Sequence, residues 1–327
     1  MSSSERIALR APSAFAACAA TRLPRFAVET KKKGEKQARP AATFPLRTDT
    51  AKQDRSRMRI VVVGPGRAGT SLAIAADRAG HDIVAVFGRT PERAQGAAAR
   101  FGAMAERVGD PVPPVDLVLI AVRDDVIGDV AASLAPTIGD ASGAVHLSGA
   151  TSVEALAPIA ASDVATGAFH PLQTLPNPDA GAARLGGAWF AVTADSPLRE
   201  LLHELAASIG GFPFDLDDAD KPAYHAAAAA SANFPLAALA MAKDLFAAAG
   251  VPFAAARPLV EAIIANAFDQ GPSESLTGPI ARGDVATVAT QLAAVAEETP
   301  EWETAFRSFL RATAVVAGTT DQFGELL

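Results

Sequence analysis

Apolar and polar positions along this chain follow two periods, which change over near residue 213. Before that point, short runs rich in Val, Ile and Ala recur at 59–63, 83–87, 116–122, 144–147, 164–169 and 188–192. Near-continuous apolar runs of this length suit strands buried on both faces of a parallel sheet. Between them lie helical patterns such as Leu72, Ala75, Ala76 and Ala79, closed by Gly80. After residue 213 strand patterns stop and long Ala-rich helical patterns take over, at 219–249, 252–270, 285–299 and 301–317. The fold expected is α/β, a Rossmann-type doubly wound sheet over 58–212 followed by an all-helical domain over 213–327.

The first strand runs straight into Gly64-Pro65-Gly66-Arg67-Ala68-Gly69 and then into a helix. This is G-x-G-x-x-G in the strand–turn–helix setting that gives it meaning. The first glycine makes the turn, the second lets backbone approach a pyrophosphate, and the third packs helix on strand. The anion then sits at the helix N-terminus, where free N–H groups and the dipole favour it. All six residues are therefore expected to bind a dinucleotide.

The second strand should end where the ribose is read, and NAD sites usually carry an acid there. This chain has Gly88-Arg89-Thr90-Pro91 instead. Arg89 and Thr90 can hold a 2′-phosphate by charge-assisted hydrogen bonds, so NADP is the expected cofactor. Thr90 also reads as an N-cap with Pro91 at N1. Val122, Ser148 and His170 fall at the carboxyl ends of later strands, where ligands bind in open α/β sheets, and are expected to line the nicotinamide pocket.

In the segment Lys221-Pro222-Ala223-Tyr224-His225, continuing to Asn233, the residues Lys221, His225 and Asn233 share i, i+4, i+12 spacing and can occupy one helix face. Carbonyl or imine reduction needs a proton donor and an orienting group beside the hydride acceptor. Lys221 or His225 as acid with Asn233 as orienter meets that need. A structural histidine and a solvated first-turn lysine are the competing readings. Tyr224 is the single tyrosine, turned about 100° from its neighbour His225. In Leu276-Thr277-Gly278-Pro279-Ile280-Ala281-Arg282-Gly283-Asp284, Arg282 is the one cation of an irregular turn. It suits a substrate carboxylate, or a pairing with Asp284.

Charge changes the picture at the N-terminus. The net charge is −7, yet residues 1–57 carry 13 basic and 5 acidic side chains, leaving 16 basic and 31 acidic in 58–327. A body that acidic should repel nucleic acid and anionic membrane. Residues 1–57 show no sustained apolar period and read as a tail: a start assigned too early, with Met58 the first residue, a disordered arm, or a transit peptide. The single cysteine, Cys18, lies in that segment, so the body offers no thiolate, and a reducing, cytoplasmic setting is expected. No apolar run has transmembrane length, and the five histidines are too scattered to suggest a metal site.

The residues 64–69, His170-Pro171-Leu172-Gln173, Tyr224-His225-Ala226-Ala227 and the 276–284 turn together resemble one family. It is an uncharacterised group that joins a Rossmann-like domain to a C-terminal helical domain of unknown function. The group is similar to pyrroline-5-carboxylate reductase and other 6-phosphogluconate-dehydrogenase-like enzymes, and some relatives are regarded as an alternative type of ketopantoate reductase. The resemblance implies a homodimer formed through the helical domain. The function expected is NADP-dependent reduction of a small carboxylate-bearing ketone or imine, with ketopantoate first and a pyrroline-type imine second. A non-catalytic NADP(H) sensor is the alternative.

Overall fold

Branched apolar side chains set the frame. In β1 (Arg59–Val63) every residue after Arg59 is buried. β4 (Leu117–Ile120) and β5 (Gly143–His146) are buried throughout. The computed structural model describes residues 57–327, so the readings of the basic tail lie, but for Arg57, outside the described residues. The remaining strands are β2 (Asp82–Gly88), β3 (Met104–Arg107), β6 (Ala165–Leu172), β7 (Trp189–Ala194) and β8 (Phe212–Asp215).

These strands form one sheet in the order β3-β2-β1-β4-β5-β6-β7-β8. The first six run parallel, β7 is antiparallel to β6, and β8 is parallel to β7. Helices α1 (Arg67–Arg78), α2 (Pro91–Ala98), α5 (Pro178–Leu185) and α6 (Leu198–Ser208) share one apolar core with one face of the sheet. Helices α3 (Ile127–Leu134) and α4 (Ala157–Ala160) share a second core with the other face. Two cores on opposite faces are what a doubly wound sheet requires.

Two strands escape the sequence pattern. β3 and β8 are the short edge strands, half-exposed at every position, so they lack the apolar run that marks the interior. β6 also runs further than expected, through Pro171 to Leu172, so His170 lies inside the strand rather than beyond it. Pro213 sits on an edge strand, where a missing N–H is tolerated.

The chain continues into α7 (Lys221–Ala248), α8 (Ala256–Gln270), α9 (Pro272–Ser275), α10 (Val285–Glu298), α11 (Glu303–Ala317) and α12 (Thr320–Phe323). A small core of Ile280, Val288, Leu292, Leu310, Ala314, Phe323 and Leu327 holds the last of these together. By contrast α7, with 28 residues, buries only Lys221 and Met241. Among the described residues no helix is long and apolar enough to cross a membrane.

Candidate cofactor and catalytic site

Each glycine of the β1–α1 turn has a distinct steric task. Gly64 has φ +106°, and a Cβ there would stand 2.4 Å from the Ala121 carbonyl oxygen. A Cβ on Gly69 would meet the Gly64 oxygen at 2.4 Å and the Ala121 Cβ at 2.8 Å, so helix and strand touch only because the side chain is absent. Gly66 is different: nothing lies within 4 Å of its Cβ position. The space it keeps clear faces outward, and Gly66 is also the N-cap of α1, with no side chain capping the helix. The first-turn N–H groups are thereby left for an anion.

This turn opens on a cavity of about 650 Å³ lined by Gly64, Pro65 and Gly66, by Gly88, Arg89 and Arg93, and by Val122 and Arg123 among others. Arg89 and Arg93 are exposed and enter no ion pair among the described residues, whereas Arg123 is held by Asp125. Thr90 occupies the N-cap position of α2 but makes no capping bond with its side chain. Thr90 beside it holds the Glu92 carboxyl below the usual carboxylate range. Arg67, Ala68, Gly69 and Thr90 flank the cavity wall without forming part of its lining. A dinucleotide with an extra phosphate fits this site: it has an open glycine, a helix N-terminus and two free guanidinium groups where an acid would stand for NAD.

A second cavity, of about 450 Å³, lies between the end of β6 and the first turns of α7. It is lined by His170, Leu172, Gln173 and Thr174 on one side and by Tyr224, His225, Asn233 and small residues on the other. The expected trio of strand ends therefore separates: Val122 lines the first cavity, His170 the second, and Ser148 neither. Ser148 is buried and donates to Asp124 Oδ2 at 2.8 Å, while its oxygen accepts from the amides of Ala150 and Thr151.

The second cavity brings together the pair that sequence reasoning missed. Tyr224 Oη lies 2.7 Å from His170 Nδ1. Burial, and then the charge of His225, depresses the His170 pKa to about 4, so the ring is neutral near pH 7. Burial also pushes the Tyr224 phenol up to about 12. Both groups are therefore uncharged, and the ring tautomer sets which of them donates: with the proton on Nδ1 the imidazole donates to the phenol oxygen and leaves the phenol proton free for the cavity. Gly149 supports the ring from behind, since a Cβ there would come within 2.8 Å of His170 Cε1. The i, i+4, i+12 face omitted Tyr224, and only the fold shows that His170 waits on the flank to which Tyr224 turns.

Lys221 and Arg282 are placed elsewhere. Lys221 is 2% exposed, and its Nζ lies 2.7 Å from both the Thr151 carbonyl and Asp218 Oδ1. Asp218 in turn accepts from Ser152 Oγ at 2.8 Å and the Val153 amide at 3.0 Å. The ammonium thus ties the start of α7 to the loop after β5. Arg282 is exposed and lines neither cavity. The pairing with Asp284 does not form: Asp284 instead caps α10 through the Thr287 amide and hydroxyl. His146, fully buried at the end of β5, accepts from the Ser148 amide through Nδ1, and burial lowers its pKa to about 4.

Comparison with known families places the two halves of the chain. A Rossmann-like domain model matches residues 45–171, and the domain of unknown function DUF2520 matches residues 188–313. The chain joins a Rossmann-like domain to a DUF2520 domain. The DUF2520 match begins at β7, so it takes in the last two strands as well as the helices. No curated protein matches the sequence. Among solved structures, a Bacteroides fragilis protein described as an NADP oxidoreductase is 23% identical, with a TM-score of 0.65 over 80% of this chain and 99% of that one. The 1-pyrroline-5-carboxylate reductase of Streptococcus pyogenes is 18% identical, with a TM-score of 0.55 over 80% and 99%. A reductive aminase from Aspergillus terreus, solved with NADPH and ethyl-5-oxohexanoate, is 16% identical, with a TM-score of 0.57 over 82% and 99%. At these identities the likeness is one of fold.

Proposed function

We propose that the protein is an NADP-dependent oxidoreductase that reduces the C=O or C=N group of a small organic substrate. The observation that carries this reading is the first cavity, with its uncapped helix, its bare Gly66 and its two unpaired arginines. The structural neighbours described as NADP oxidoreductases and imine-reducing enzymes support it. NADPH, when bound, supplies the hydride. The chain's own residues supply the rest. Tyr224, bonded to a neutral His170, gives its proton to the substrate oxygen or nitrogen, leaving an alcohol or amine and NADP⁺, and is re-protonated from solvent through His170. Asn233 and His225, on the same cavity, orient the acceptor. Lys221, with both its bonds directed to protein groups, positions the loop beneath them.

We further infer a homodimer, because Phe234, Leu236, Leu259 and Phe268 stand exposed along α7 and α8. Of named substrates, ketopantoate is the first to test and pyrroline-5-carboxylate the second. Nucleotide titration followed by substrate addition tests the function. NADPH should bind at least about 10-fold more tightly than NADH, and Tyr224→Phe should keep that affinity while turnover falls about 100-fold or more. Binding of neither nucleotide would sink the proposal.

A further inference from the structure

The face of β6–β8 opposite α6 carries an apolar row. In register, Leu172 stands opposite Trp189, and Trp189 opposite Phe212. The next row on the same face is His170, Ala191 and Phe214. Alternation explains the sorting. Phe169, Phe190 and Val192 turn to the α6 side, into the core, so their neighbours must face the other way.

Among the described residues no helix covers the outer row. Leu172, Trp189 and Phe212 are 40%, 54% and 44% exposed, although large apolar side chains on a sheet face are ordinarily buried. Trp189 packs on Phe212 with ring centroids 5.4 Å apart and on Phe214 at 6.1 Å. Phe214 meets Tyr224 edge-on at 5.9 Å. The row is therefore one aromatic surface that starts at the Tyr224–His170 pair and runs outward along the top of the sheet.

Leu172 joins this surface to the second cavity, because it lines that cavity beside His170. The rest of the lining contains no Lys or Arg, and half of its α7 wall is alanine. Such a wall leaves room beside the reacting atom and offers no fixed cation to a carboxylate. Resting on the reductase reading above, we propose that Leu172, Trp189, Phe212 and Phe214 form a subsite for an aromatic arm of the substrate. The substrate class is then a ketone or imine whose C=X group meets Tyr224 while an aryl group, a few bonds away, stacks on Trp189 and Phe212. Offset and edge-to-face contacts of that kind give selectivity for rings over aliphatic chains of equal length.

Calorimetry on the full chain loaded with NADP⁺ tests this with two matched pairs: benzylacetone against butan-2-one, and 2-phenyl-1-pyrroline against 1-pyrroline, with ketopantoate as the small anionic comparator. In at least one pair the aryl compound should bind about 10-fold more tightly than its partner and than ketopantoate. Trp189→Ala and Phe212→Ala should each remove most of that advantage while NADP⁺ affinity stays unchanged. Both side chains are half-exposed, so the variants should fold. NADP⁺ binding without any aryl advantage, or an advantage that survives both substitutions, would overturn the subsite alone. If acrylamide fails to quench Trp189 in ligand-free Trp302→Phe protein, a second copy covers the face and the subsite is likewise overturned. Failure to bind NADP⁺ would overturn the reductase reading itself.

Discussion

Single residues here act through what they exclude as much as through what they contact. Gly66 and Gly69 belong to one motif but should fail differently. Gly69→Ala forces a methyl group against the Gly64 oxygen and Ala121, so it should destabilise the fold by about 1–3 kcal/mol in chemical denaturation. Gly66→Ala meets no protein atom, so its stability should stay near that of the parent while NADPH affinity falls as the methyl fills the phosphate approach. The histidines give a second expectation. His146 and His170 have folded pKa values near 4, lowered from 6.5 mainly by burial, and His81 is shifted the same way. The unfolded chain then binds more protons than the folded one below pH 6.5, so stability rises with pH across this window. It should be complete above 6.5 and lost progressively as pH falls towards 4, which thermal melts across that range would reveal as a steadily falling Tm.

Among the elements, the junction between β5 and α7 depends on one ion pair, buried at its lysine end. Lys221 bonds to Thr151 and Asp218, and Asp218 to Ser152 and Val153, so the post-β5 loop and the helix start are fixed together. Lys221→Met keeps the apolar stem but strands a carbonyl and a partly buried carboxylate. A loss of about 2–4 kcal/mol is expected in urea unfolding. Its pH–rate profile separates positioning from proton donation. A positioning lysine leaves the basic limb where it was, whereas an acid lysine would abolish it. Strand ends show why neighbouring ligands part company: Val122 and His170 both sit at carboxyl ends, yet they open on separate cavities because β1 and β4 border one and β6 with α7 the other.

For the whole molecule, the helical half presents large apolar side chains to water. Phe268 is 88% exposed and Leu259 is 69% exposed, on a helix that buries only Ala256. An isolated chain rarely leaves so much apolar surface in water, and a self-complementary dimer would bury it. Phe268→Asp combined with Leu259→Asp should convert a dimer into a monomer in sedimentation velocity. A parent chain that already sediments as a monomer would remove the dimer from the proposal.

Much of this was legible before any coordinates. β1, α1 and the glycine turn follow from a continuous apolar run ended by residues only a tight turn tolerates, so local sterics decide them. The missing acid after β2 is equally local. β3 and β8 were not legible, because an edge strand buries too little to show a pattern. The fates of Lys221 and Tyr224 were also beyond the sequence. Helical spacing states which residues share a face, but not which strand end that face meets. By itself the sequence determined the order of elements and the cofactor turn, since each depends on neighbours within a few residues. Only the tertiary structure decided that Tyr224 meets His170 and that Lys221 reaches the Thr151 carbonyl. Those contacts join segments 54 and 70 residues apart, and packing of the whole sheet sets the distance between them.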